Sequence, residues 1–206
     1  MYPFLRIVIA VTVITLLAIF GCRNNSSKTS ETLSEEEIAS YQKTGSHLAT
    51  STQKVLASNL INAIENGGPV NALAFCNIEA LPLTDSMAVE LETHIKRVSD
   101  QPRNPQNQAN KDELAYIKKT KNQLREGQEV QPSIQAKNGS VTGYYPIITN
   151  QLCMQCHGSE GSQIDQTTLT KIKELYTEDK ATGYSVGELR GIWVVEMEKD
   201  VITDPE

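Results

Sequence analysis

Cys153-Met154-Gln155-Cys156-His157 sets two thiols three residues apart, with an imidazole immediately after the second. On one helical turn the positions i, i+3 and i+4 share a face. Both thiols can then reach the two vinyl groups along one porphyrin edge while the imidazole reaches the iron. This spacing is the attachment signature of a c-type haem, so one covalent haem c is the expected cofactor. His157 is the expected iron ligand through a neutral ring nitrogen, its other ring N–H held by an acceptor that the sequence does not name. Three plainer readings compete. A reactive dithiol needs a βα context that is not evident around residue 153. A structural zinc needs four ligands, and one further candidate thiol remains outside the N-terminal segment. A structural disulfide is the third.

The start of the chain bears on that choice, because c-type haem is attached in an oxidising compartment. Arg6 precedes an apolar run, residues 7–20, broken by two threonines and followed by Gly21-Cys22. The run is short for a membrane span, and Asn24-Asn25-Ser26-Ser27 after it is polar. Ile19-Phe20-Gly21-Cys22 looks like a lipobox in which Cys22 is diacylated and becomes the mature N-terminus. A plain secretory signal and an uncleaved anchor are the alternatives, Phe20 being bulkier than the usual residue. All three imply export, with the periplasm as the expected compartment. The expected organisation is a signal and lipobox over 1–22, a flexible tether over 23–33 and one domain over 34–206. A formal net charge of −6 and the lack of a basic cluster argue against a nucleic acid partner. The expected partners are haem, the membrane through the N-terminal lipid, and an unidentified redox or signalling protein.

The elements that position the motif follow from capping and periodicity. Ser34-Glu35-Glu36-Glu37 is a capping box, and Val55, Leu56, Leu60, Ala63 and Ile64 recur at helical period until Asn66-Gly67-Gly68-Pro69 ends the run. A second helix from about Val70 carries Leu73, Cys76 and Ala80 on one face, and Pro82 is expected to bend or end it. Residues 93–98 alternate as a strand, and 101–107 form a loop with two prolines. Asn110 with Glu113 caps a helix through Leu124. Residues 130–136 and 141–148 pair as a hairpin around an Asn138-Gly139 type I′ turn that leads into the motif. A short helix near 169–176 and a strand over 191–197 complete an α+β chain. Cys76 is an odd thiol in an oxidising compartment, and its plain reading is a small buried hydrophobe.

Ala74-Phe75-Cys76, Lys96-Arg97-Val98-Ser99 with Arg103-Asn104-Pro105-Gln106-Asn107, Tyr145-Pro146-Ile147, the motif with Gly158, Thr182-Gly183-Tyr184 and Gly187-Glu188-Leu189-Arg190-Gly191 occur in this order. The set resembles the exported single-haem-c domains with a PAS-like fold, found alone or as sensor modules of bacterial signalling proteins. Lys96 stands where that pattern has arginine. The resemblance implies a small PAS-like antiparallel sheet with long N-terminal helices and an inserted haem-binding helix. It also implies that Cys76 supplies the second axial ligand opposite His157. Arg97, Arg103 and Asn107 are placed near a haem-edge loop, where guanidinium groups suit propionates, although capping the loop or facing solvent is an equal reading. His47, His94, Met87 and Met197 compete with Cys76, whereas Met154 sits inside the attachment loop. Tyr145 and Trp193 read as core or pocket lining. The expected function is a redox or diatomic-gas sensor with His/Cys ligation, and the alternative is a lipid-tethered monohaem cytochrome c that carries electrons. No distal acid–base pair is evident, so an enzyme such as a peroxidase is not expected.

Overall fold

The computed structural model describes residues 32–137 and 139–199; Cys22, the export segment and Asn138 of the hairpin turn lie outside the described residues. The first helix, α1 (Glu35–Glu90), opens on the expected capping box. Glu37 N–H donates to Ser34 Oγ, and Ser34 N–H donates to the Glu37 carboxylate at 2.7 Å. The helix breaks where expected, at Gly67 and Gly68. Gly68 has φ 69° and ψ −171°, a conformation that only glycine takes without strain. Asn71 Nδ2 donates to the Ala63 carbonyl across the break at 2.9 Å, tying the two arms of α1 together.

The second arm does not end at Pro82. It runs on to Glu90 with helical dihedrals. Pro82 removes one backbone donor, but it is exposed, while Ala80, Thr84 and Met87 on the opposite side are buried. Packing of that inner stripe holds the helical path through the proline.

Four strands form one antiparallel sheet: β1 (His94–Val98), β2 (Ser133–Lys137), β3 (Ser140–Ile148) and β4 (Leu189–Glu198), in the order β1-β4-β3-β2. Alternation along β4 divides the core. Trp193, Val195 and Met197 pack with Ile95, Val141 and Tyr145 against α1, through Tyr41, Ala49, Leu56 and Ala80. Ile192 and Val194 pack with Val98 and Tyr144 on the other face, against Tyr116 and Ile117 of α2 (Lys111–Arg125). The period of two therefore makes β4 the doubly covered centre of a three-layer α+β domain. The cap of α2 is as expected, Asn110 Oδ1 accepting from Glu113 N–H while the Glu113 carboxylate accepts from Asn110 N–H at 2.7 Å.

Contact between α1 and the sheet is close at Gly45. A β-carbon there, or at Gly143, would run into the Tyr145 side chain, whose hydroxyl donates to the Tyr41 carbonyl at 3.0 Å. In an exposed helix Gly→Ala stabilises by about 1 kcal/mol. At this crossing overpacking of a pinned ring, ~3 kcal/mol at the upper end, outweighs that gain. Gly45→Ala is expected to lower stability by ~2 kcal/mol, read as a melting temperature about 4–8 °C lower. An unchanged or raised melting temperature would show that Tyr145 is free to move.

Residues 149–188 leave the sheet between β3 and β4 and carry the motif. They contain a 3₁₀ turn (Gln151–Cys153), α3 (Met154–His157) and α4 (Gln166–Leu175). Buried Thr149 closes the base of this excursion. Its hydroxyl donates to the Ser185 carbonyl at 2.6 Å and accepts from Glu188 N–H at 2.9 Å, and its own N–H donates to the Glu188 carbonyl.

Candidate functional site

Asn150 starts the motif as a cap, its Oδ1 accepting from Leu152 N–H at 2.9 Å and from Cys153 N–H at 3.3 Å. A single helical turn follows, closed by Gly158 N–H donating to the Met154 carbonyl at 3.1 Å. Met154 turns into the protein and is buried. Cys153, Cys156 and His157 are half-buried, and both cysteines are free thiols. A disulfide finds no support in this arrangement. Nor does a zinc site, since no three His, Cys, Asp or Glu side chains among the described residues converge to hold a metal ion.

The acceptor that orients His157 is the Ala181 carbonyl, 2.7 Å from Nδ1. A carbonyl only accepts, so Nδ1 carries the proton and Nε2 keeps its lone pair, the tautomer that a metal ligand requires. Burial holds the imidazole well below its usual pKa, and the positive charges of Arg190 and Arg103 add to this. The ring is thus neutral.

Arg103 locks the Ala181 segment onto the motif. Its guanidinium pairs with Asp179 through Nε to Oδ1 at 3.1 Å and Nη2 to Oδ2 at 3.2 Å. Nη2 also donates to the Cys156 carbonyl at 2.6 Å and the Ala181 carbonyl at 3.3 Å. Gly183 N–H donates to the Gly158 carbonyl and Tyr184 N–H to the His157 carbonyl, at 2.8 and 2.9 Å. The Tyr184 ring stands edge-on to His157, with centroids 6.3 Å apart.

Cys76 reaches this region from the second arm of α1. One turn before it, Leu73 packs with Ile164, Leu169, Ile172 and Tyr176, and half-buried Cys156 packs on the same cluster. Burial raises the Cys76 thiol, while Arg97 and Arg103 pull it back down. The same two guanidinium groups act on His157. Burial also lifts Cys156 to about 11 and Tyr176 to about 12.

Positive charge here exceeds its partners. The Arg97 guanidinium lies over Trp193 at 5.9 Å and makes no side-chain hydrogen bond or ion pair among the described residues. Burial lowers its pKa. Arg190 donates through Nη1 to Ser99 Oγ at 3.0 Å and the Gln101 carbonyl at 3.1 Å, but its buried Nε is unsatisfied, as is the buried Tyr184 hydroxyl. Burial brings Arg190 down to about 10. Three guanidinium groups around one imidazole, with a single carboxylate paired to one of them, fit a ligand that brings its own carboxylates. The free thiols and the bare Nε2 fit thioether attachment and iron. A haem c meets both requirements.

The family model described as Tll0287-like: Tll0287 matches residues 24–197. The chain belongs to the Tll0287-like family. The crystal structure of the cyanobacterial heme-protein Tll0287 matches it with a TM-score of 0.53 at 18% identity, covering 81% of this chain and 97% of that one. That likeness carries the fold, a four-stranded antiparallel sheet with a long helix. No curated protein matches the chain.

In this Tll0287-like chain Arg97, Arg103, Cys76, Cys156 and His157 come together, and Cys153 lies on the same turn. Asn107 is not joined to them by any bond among the described residues; its carbonyl accepts from Ser99 N–H at 2.9 Å in the loop after β1. Lys96 pairs with buried Glu113 at 2.8 Å on the α2 side. His47 and His94 are exposed, and Met87 and Met197 are buried. Tyr145 and Trp193 belong to the core between α1 and the sheet, Trp193 Nε1 donating to Gln53 at 3.2 Å. Asp179, Ala181 and Arg190 carried no site assignment from sequence. Arg190 and Tyr184 lay within recognisable blocks, but Ala181 acts through a backbone carbonyl, which leaves no trace in residue type.

Proposed function

We propose that this protein holds one covalent haem c and works as a redox or diatomic-gas sensor in the periplasm, anchored through Cys22. The observation that carries the reading is the His157 tautomer. An imidazole fixed by the Ala181 carbonyl, with Nε2 free beside two thiols on one turn, has the chemistry of a proximal ligand. When bound, the haem would supply one-electron chemistry and affinity for diatomic gases. Cys153 and Cys156 would hold it as thioethers, and His157 and Cys76 would supply donors to its iron. Arg97 and Arg190 would meet its propionates, while Arg103 stays committed to Asp179 and to the backbone around His157. Cys76 sits on the second arm of α1, which starts at the Gly67-Gly68 break, whereas His157 sits on a separate turn held by the Ala181 carbonyl, so the two donors come from different elements. Donors on two separate elements suit a ligand set in which one donor is released and the other kept, which favours sensing over a carrier with both ligands locked.

Production with a periplasmic haem-attachment system tests the reading. The denatured wild type is expected to retain haem stain, and Cys153→Ser/Cys156→Ser to lose all of it. The ferrous protein is expected to bind carbon monoxide. Retained haem without carbon monoxide binding would instead make it a locked electron carrier, and haem lost from the denatured wild type would overturn covalent attachment.

A further inference from the structure

The second arm of α1 has two unlike faces. Leu73, Cys76, Ala80, Thr84 and Met87 follow one another at helical spacing on the inner side. Ile78, Pro82, Asp85 and Val89, at i, i+4, i+7 and i+11, form the outer side and are all exposed. Ile78 is 66% and Val89 79% exposed, and Ile61 on the first arm is 41% exposed. Pro82 has no N–H to give the Ile78 carbonyl, so one backbone acceptor stands without its helical donor in the middle of the stripe.

The charge carried by this arm and its flanks has one sign. No lysine or arginine occurs from residue 55 to residue 95, while Glu65, Glu79, Asp85, Glu90 and Glu92 do, and all five are exposed. None of the five forms an ion pair among the described residues. The basic residues of the domain lie elsewhere, many on α2 and around His157. An exposed apolar strip on an arm whose own charges are all carboxylates is complementary to an apolar patch ringed by lysine or arginine. A second copy of this chain would set the same carboxylates against each other, and an anionic lipid surface would be repelled.

We propose that the outer face of the second α1 arm docks a basic protein partner, in contact with the helix whose inner face presents Cys76. The surface stands on exposure and charge. Only its consequence, a partner that reads the position of the Cys76 helix, rests on the function proposed above.

Mitochondrial cytochrome c, a lysine-rich protein, serves as the probe, and the same protein with acetylated lysines serves as its control. Titration of the ¹⁵N-labelled holoprotein at low ionic strength is expected to shift amide signals over residues 75–92. Affinity should fall at least about tenfold in 0.5 M salt or with the acetylated probe. Glu79→Lys and Asp85→Lys are each expected to weaken binding about 3–10-fold, whereas Ile78→Ser should weaken it without changing the salt dependence. No binding, shifts confined to another surface, or charge reversals without effect would overturn the proposal. So would a sedimentation result showing a dimer that Ile78→Ser/Val89→Ser returns to monomer, because a second copy would then cover the face. The readout needs no electron transfer. Loss of the sensor reading would leave docking intact, and loss of docking would leave haem attachment intact.

Discussion

Arg103→Ala is expected to destabilise the domain by about 3–5 kcal/mol, the range for breaking a buried pair by removing one partner. Both side chains are 10% exposed, so Asp179 would be left as an uncompensated carboxylate. The Cys156 and Ala181 carbonyls would lose donors at the same time. The melting temperature should fall by about 6–20 °C. Arg103→Lys keeps the charge but cannot reproduce a fork that reaches both carboxylate oxygens and two carbonyls, so it should recover about half of the loss at most. The damage should also be local. Ala181 orients His157, so the holoprotein variant should show a weakened or heterogeneous proximal ligation spectrum. Asp179→Ala added to Arg103→Ala should cost much less than the sum of the two, since the charge stranded by the first change is gone. Additive losses, or a melting temperature within 2–3 °C of the wild type, would show that the guanidinium is not the clasp described above.

Much of this arrangement is legible in residue order because its causes are local. Capping boxes at Ser34 and Asn110, the Gly67-Gly68 break and the alternation of Ile192 to Met197 each depend on neighbours within a few positions. Helices, strands and their inner faces therefore follow from periodicity. The placement of β4 between β1 and β3 does not, since nothing local states which strand pairs with which. Pro82 shows a different limit. Its local preference against helix is real, but an inner stripe of packed side chains overrides it.

The candidate site divides along the same line. Cys153, Cys156 and His157 declare themselves because they fall within five consecutive residues at a recognisable spacing. The groups that prepare them come from distant segments: Ala181 through its carbonyl, Asp179 through Arg103, and Arg190 through Ser99 and Gln101. A backbone acceptor can belong to any residue, and an arginine on a strand looks like surface until its partners are counted. The resemblance placed Arg103 near a haem edge, with propionate pairing and loop capping as equal readings; its Nε and Nη2 are engaged by Asp179 and two carbonyls. Arg190 keeps a buried Nε without a partner, and the Arg97 side chain makes no hydrogen bond or ion pair among the described residues.

Cys76→Ala should separate ligation from packing more sharply than any other single change. In the absence of iron, burial keeps the thiol protonated against the pull of Arg97 and Arg103, so it behaves as a small apolar group. Its replacement should cost the apoprotein only about 1 kcal/mol, because the side chain is half-buried and one sulfur is lost. The holoprotein should respond very differently. A thiolate donates negative charge to ferric iron and favours it over ferrous iron. Losing that donor should raise the midpoint potential by on the order of 0.1–0.3 V within the ~0.8 V that axial ligands command. The low-spin thiolate–imidazole signal in the ferric EPR spectrum should vanish with it. Arg97→Leu should move the potential the opposite way, since a nearby positive charge that opposes ferric iron is removed. The Met87→Leu and His47→Ala variants should leave both readings unchanged. If Cys76→Ala matches the wild type in EPR and potential while one of those variants does not, the thiol is packing, and the distal donor comes from elsewhere in the chain.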